Sequence, residues 1–133
     1  FQSWTYWDSS WLWNSDDGSA KPDALAVFSR PYPISTAGQP QNLTFNYRSR
    51  YFYYEFFLNT KIVEPTEIFV PSILYPNHKF DLELSSLLTW EFSPHNPDIL
   101  FVTLQQTKKE EEEIPVFLRI TPKIEIVHVQ GSN

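Results

Sequence analysis

Residues 80–92 read FDLELSSLLTWEF. Phe80, Leu82 and Leu84 alternate with Asp81 and Glu83. After Ser85, Ser86 and Leu87, the residues Leu88, Trp90 and Phe92 alternate with Thr89 and Glu91. Successive side chains of an extended chain point to opposite faces, so the stretch predicts two strands, each with one face in a core and one in water. Antiparallel sheets read in this way. Leu43, Phe45 and Tyr47 follow the same rule, as do Val116, Leu118 and Ile120 with Arg119 turned the other way. Further strand candidates are 51–58, 66–70, 98–104 and 123–129. Tyr75-Pro76-Asn77-His78 and the run Ser93 to Asp98 supply the turns between strands. About eight short strands joined by Pro and Asn turns predict a mainly β fold, an antiparallel β-sandwich over residues 42–133.

The composition is consistent with one domain, or one domain and part of another. The chain has 133 residues, 41% hydrophobic and 17% aromatic, enough for a core and too apolar for wholesale disorder. A formal net charge of −6 argues against nucleic acid or an anionic membrane as the main partner. No apolar run approaches the roughly 20 residues that span a bilayer. Without cysteine there is no disulfide framework, thiolate metal site or cysteine nucleophile. Asn42-Leu43-Thr44 is a glycosylation sequon, which makes Asn42 a candidate modification site. The chain contains no methionine and opens on Phe1 without a signal-peptide pattern, so it is expected to be a fragment or a processed product.

The first thirty residues have a different texture. Four of the five tryptophans, Trp4, Trp7, Trp11 and Trp13, crowd into the amino end. Residues 1–7 are β-rich, and a Ser/Asp loop follows. Pro22 and Asp23 then suit a helix start, with Leu25 and Phe28 on one face. Pro31 stops that helix, since the residue before a proline is pushed toward extended geometry. Pro31 and Pro33 predict a stiff extended linker over 30–41, with a flexible turn at Gly38. A lone strand and helix cannot bury their own apolar faces, so they are expected to belong to a larger preceding domain.

Three runs carry a family resemblance: SWTYW (3–7), PDALAVFSRPYPISTAGQP (22–40) and TEIFVPSILYPN (66–77). They resemble the carboxy-terminal part of endoglycoceramidases and related glycosylceramidases of glycoside hydrolase family 5. The most specific piece is Arg30-Pro31-Tyr32-Pro33 followed by Ala37-Gly38 and Pro40. The resemblance implies that residues 1–29 end a (β/α)8 catalytic barrel, with 2–7 as its eighth strand, and that a C-terminal sandwich follows.

Barrel active sites lie at the carboxy ends of the strands. The resemblance therefore implies that Trp7 stacks on a sugar ring, with Asp8 binding a hydroxyl or orienting a neighbour. Trp11 and Trp13 would extend the apolar wall toward the lipid. Trp4 and Tyr6 point away from Trp7 and pack structurally. The two glutamates of a retaining glycosidase, about 5–5.5 Å apart, would lie upstream of Phe1, because the first glutamate here is Glu55. The fragment is expected to be inactive alone. The parent would hydrolyse the β-glycosidic bond between sugar and ceramide, with steryl glucosides as an alternative substrate. It would use no cofactor and no metal. Its partners would be the glycolipid, its own upstream domain and a possible membrane surface, in a secreted, lysosomal or endomembrane setting. The alternative is a non-catalytic carbohydrate- or lipid-binding sandwich.

Other constellations read as structure. Glu110 to Glu113, after Lys108 and Lys109, predict a solvated hairpin loop. His78, His95 and His128 lack metal-ligand spacing. Tyr47, Tyr51, Tyr53 and Tyr54 with Phe52, Phe56 and Phe57 have two readings. They form either a lipid- or sugar-contacting edge, or one set in the core and another at a domain interface. The interface reading is preferred.

Overall fold

The structure is a computed structural model that describes residues 10–108 and 110–123. A 3₁₀ turn at Ser10–Leu12 precedes the helix α1 (Pro22–Phe28). Eight strands follow among the described residues: β1 (Tyr32–Ser35), β2 (Gly38–Asn46), β3 (Tyr51–Asn59), β4 (Thr66–Phe69), β5 (Phe80–Leu84), β6 (Leu88–Phe92), β7 (Ile99–Leu104) and β8 (Glu113–Pro122). They form two four-stranded antiparallel sheets, ordered β1-β4-β7-β6 and β2-β3-β8-β5. The chain belongs to the mainly β class, and its sheets face each other as a sandwich.

The period-two pattern decides which face is inside. Along β3, Phe52, Tyr54, Phe56 and Leu58 are buried, while Tyr51, Tyr53, Glu55 and Phe57 lie on the other face. Val116, Leu118 and Ile120 of β8 join the buried row. They share one core with Ile68 of β4, Leu88 of β6, and Leu100 and Val102 of β7. Burying each such side chain stabilises the fold by about 1.5–3 kcal/mol relative to leaving it exposed. Tyr54 is fully buried, and its hydroxyl lies 2.7 Å from that of Thr36.

The segment expected to be a linker, 30–41, instead supplies β1 and the start of β2. The prolines hid this. Pro33 lacks a ladder donor, yet β1 is an edge strand whose other side needs none. Pro31 is fully buried. Gly38 is not a flexible turn either. Its φ of +144° and a virtual Cβ only 1.9 Å from the Phe57 carbonyl oxygen show glycine used for close backbone approach. Through Ala37, the chain steps from one sheet to the other. The Ala37 amide donates to Thr66 Oγ1 at 2.9 Å, and its carbonyl accepts from Asn59 N at 3.0 Å.

Helix α1 starts at Pro22, whose missing N–H costs nothing in a first turn, with Asp23 beside it. It ends at Ser29, whose amide donates to Leu25 O at 3.1 Å, two residues before Pro31. The candidate strand 1–7 and most of the candidate strand 123–129 lie outside the described residues.

Candidate functional site

Trp7 and Asp8 lie outside the described residues, as do Trp4 and Tyr6. Trp11 lies in the 3₁₀ turn, half-buried, its ring tilted 47° against Phe28 of α1 with centroids 5.2 Å apart. Trp13 is 45% exposed and pairs through its backbone with Ala20. The two rings thus have different surroundings, one packed on a helix and one open to solvent.

Between Trp13 and Ala20 the chain makes a closed loop. Asn14 N donates to Ser19 O at 2.8 Å, Gly18 N to Asn14 O at 2.9 Å, and Lys21 N to Leu12 O at 2.7 Å. Asp16, Asp17 and Gly18 form the turn, with Gly18 at φ +68°. The Ser19 hydroxyl and amide hold the Asp17 carboxyl below its ordinary pKa. Asp17 therefore serves the turn, since its acceptor capacity is spent on Ser19.

Two concave surfaces stand near the predicted residues. The first is an open groove of about 1190 Å³ between the entering segment 28–36 and β2. Tyr32, Ile34, Leu43 and Phe69 supply apolar walls, and Arg30 a cation. Tyr32 and Ile34 are 44% and 45% exposed, and Val27 of α1 is 64% exposed. Together they leave an exposed apolar strip beside the groove.

The second is a cleft of about 270 Å³ on the outer face of β3 and β8. Tyr53 stacks on Phe117, with centroids 6.0 Å apart and planes 19° from parallel. The Tyr53 hydroxyl donates to Glu55 Oε2 at 2.9 Å. That hydrogen bond, more than burial, pushes the phenol above its ordinary pKa. Gln41, Phe57 and Pro115 complete the rim. The Arg119 guanidinium lies 5.7 Å over the Phe117 ring and pairs with Glu83 at 2.9 Å. Asn42 is exposed opposite Glu55, and Thr44 opposite Tyr53.

The tyrosine cluster divides as its alternation requires. Tyr54 enters the core with Phe52 and Phe56, while Tyr51 and Tyr53 face outward with Phe57. The pairing of Tyr53 with Phe117 was missed in the sequence because it needs the β3–β8 register.

The acidic run is a solvated loop but not the expected hairpin, because it leads from β7 in one sheet to β8 in the other. Glu110, Glu111 and Glu112 are exposed, Lys108 pairs with Glu112 at 2.6 Å, and Asn59 donates to Glu111 at 3.0 Å. His78 stacks on Phe92, and His95 lies in a turn. His128 is outside the described residues. Among the described residues, no group of three His, Asp or Glu side chains could hold a metal ion.

Residues 30–116 match the glycoside hydrolase family 5 C-terminal domain. The chain belongs to this family. No curated protein sequence matches the chain. Among solved structures, sterylglucosidase 1 of Cryptococcus neoformans is similar at a TM-score of 0.59 and 22% identity, over 80% of this chain and 15% of that one. Endo-glycoceramidase II from Rhodococcus sp., solved with ganglioside GM3, is similar at a TM-score of 0.56 and 20% identity, over 82% and 22%. At such identities the likeness is one of fold. The family 5 chain described here spans under a quarter of the length of either enzyme.

Proposed function

We propose that the chain is the C-terminal part of a retaining family 5 glycosidase that cleaves a β-glycosidic bond between sugar and lipid, with ceramide as the aglycone and a sterol as the alternative. The sandwich of β1 to β8 supports the catalytic barrel. Residues 1–29 close that barrel, and Trp7, Asp8, Trp11 and Trp13 belong to its substrate wall. The catalytic glutamates belong to the preceding barrel strands. Substrate is met through that barrel, the sandwich presents a surface to membrane lipid, the setting is secreted, lysosomal or endomembrane, and the reaction draws on no cofactor.

One observation carries this reading. Helix α1 and the Trp11–Phe28 contact precede the family region and add no strand to either sheet. They flank the exposed apolar groove at Tyr32 and Ile34, which is a seat for a preceding domain.

Translation of the coding sequence upstream of Phe1 is the test. The expected result is repeating strand–helix units with a glutamate at the ends of strands four and seven, and release of sugar from glucosylceramide or a steryl glucoside by the longer protein. A short upstream sequence without such units would reject the hydrolase reading. Saturable sugar or lipid binding by the chain alone would then favour a binding module.

A further inference from the structure

We infer that Asn42 carries an N-linked glycan whose first sugar lies across the Tyr53–Phe117 cleft and covers the outer face of β3 and β8. It does not rest on the hydrolase reading and needs passage through the secretory route; Asn42 itself borders the first groove, and Gln41 beside it lines both groove and cleft.

The sequon Asn42-Leu43-Thr44 supplies the acceptor. Asn42 and Thr44 are both exposed and lie on the outward face of β2, so the amide and its companion hydroxyl share one side. The register puts Glu55 directly across from Asn42. Diagonal neighbours on one face of a sheet lie about 7–8 Å apart, which brings the Tyr53 ring within the span of a single pyranose attached at Asn42. Phe117 stands opposite Glu55 on the next strand, so the row Asn42, Glu55, Phe117 crosses the sheet in line.

The cleft suits an N-acetylglucosamine. The Tyr53 ring offers an apolar surface for the C–H face and acetyl methyl of the sugar, with Phe117 stacked beside it and Arg119 over the Phe117 ring. Glu55 and Gln41 stand at the rim as partners for its hydroxyls and amide. A register shift between Pro40 and Asn42 frees Gln41 from the ladder on that side.

The position also meets a need of the fold. Among the described residues, β2 is an edge strand of its sheet, with a row of backbone groups on one side that no described strand pairs. Such edges invite pairing with other chains unless they are blunted, and a glycan at Asn42 is a bulky, solvated block.

The covalent step is ordinary group transfer. The Asn42 amide nitrogen bonds to C1 of the first sugar of a lipid-linked oligosaccharide diphosphate. The C1–O bond to the diphosphate breaks, the lipid diphosphate leaves, and the amide gives one proton to a base of the transferase.

The test is expression of the chain through a eukaryotic secretory pathway, followed by peptide mapping and thermal unfolding. Asn42 is expected to be modified, and Thr44→Ala to abolish the modification and lower the midpoint by roughly 4 °C. Trimming to a single N-acetylglucosamine should preserve the midpoint. In a Tyr53→Ala background, Thr44→Ala should have no further effect. Should Tyr53→Ala not fold, magnetisation transfer between the acetyl methyl and the Tyr53 or Phe117 ring protons in the unsubstituted glycoprotein supplies the same readout. An unmodified Asn42 in the secreted chain overturns the inference. So does a glycan effect that persists without the Tyr53 ring, or a sugar without contact to either ring.

Discussion

Tyr75 and Arg50 are locked to one another across the end of the sandwich. The buried Tyr75 hydroxyl donates to the Arg50 carbonyl at 2.7 Å, and Arg50 Nη1 donates to the Leu74 carbonyl at 2.8 Å. Arg50 is held at φ +57°, an uncommon conformation for a residue with a side chain. The pair ties the β2–β3 turn to the loop before β5. Tyr75→Phe keeps the ring and leaves the Arg50 carbonyl without this donor. The expected loss is about 1–2 kcal/mol in denaturant unfolding, and an unchanged midpoint would dismiss the lock.

Alkaline pH should weaken the same region. Burial raises the Tyr75 pKa against the opposing pull of Arg50, burial raises that of Tyr54, and the Glu55 hydrogen bond leads the rise for Tyr53. A raised folded pKa means the stabilisation is fully present below the ordinary phenol value of 10.0 and is lost as pH climbs through the folded value. Urea midpoints should stay level on this account up to about pH 9 and fall from about pH 10 upward. Tyr75→Phe should shallow that fall. An equally steep fall in the variant would remove Tyr75 from the explanation.

Gly38 tolerates no side chain. Gly38→Ala would set a Cβ 1.9 Å from the Phe57 carbonyl oxygen and 2.9 Å from Asn59 N, both backbone atoms in the β2–β3 ladder. The expected destabilisation is about 3 kcal/mol or more. Gly18→Ala is the contrast. It shares a positive φ and has open space around it, so a loss of about 1 kcal/mol is expected. Equal losses at the two glycines in calorimetry would sink the close-approach argument.

Trp11 and Trp13 should separate by their effects. Trp11→Ala removes a ring packed on Phe28 and should loosen α1, seen as faster amide exchange over residues 22–28. Trp13→Ala removes a ring that is 45% exposed and should leave the unfolding midpoint unchanged. In the longer hydrolase proposed above, Trp13→Ala is expected to raise KM for the glycolipid several-fold with little change in kcat. Unchanged kinetics would make Trp13 a loop residue alone.

The sequence disclosed what depends on neighbours along the chain. The alternations at Phe80 to Leu84 and Val116 to Ile120 named two inward rows, because a period of two is a local property; in the row Leu88, Trp90, Phe92, by contrast, Trp90 stands 45% exposed. The Pro22 start and Pro31 stop bounded α1 for the same reason. β1 was concealed because Pro33 breaks the usual strand composition, and only its edge position explains the tolerance. The partnership of Tyr53 with Phe117, and of Asn42 with Glu55, depends on which strands become neighbours. Composition carries no record of that choice.

The placing of β3 between β2 and β8 has a consequence for how the chain is made. β2 and β3 are joined by a short turn and can pair early, whereas Phe52 must wait for Ile120 to appear before its other edge is satisfied. Pairings between such distant segments form slowly. During synthesis the aromatic hairpin is therefore presented with one edge of β3 unpaired until β8 arrives, and its inward row of Phe52, Tyr54 and Phe56 waits for the facing sheet. That interval is when misassembly threatens.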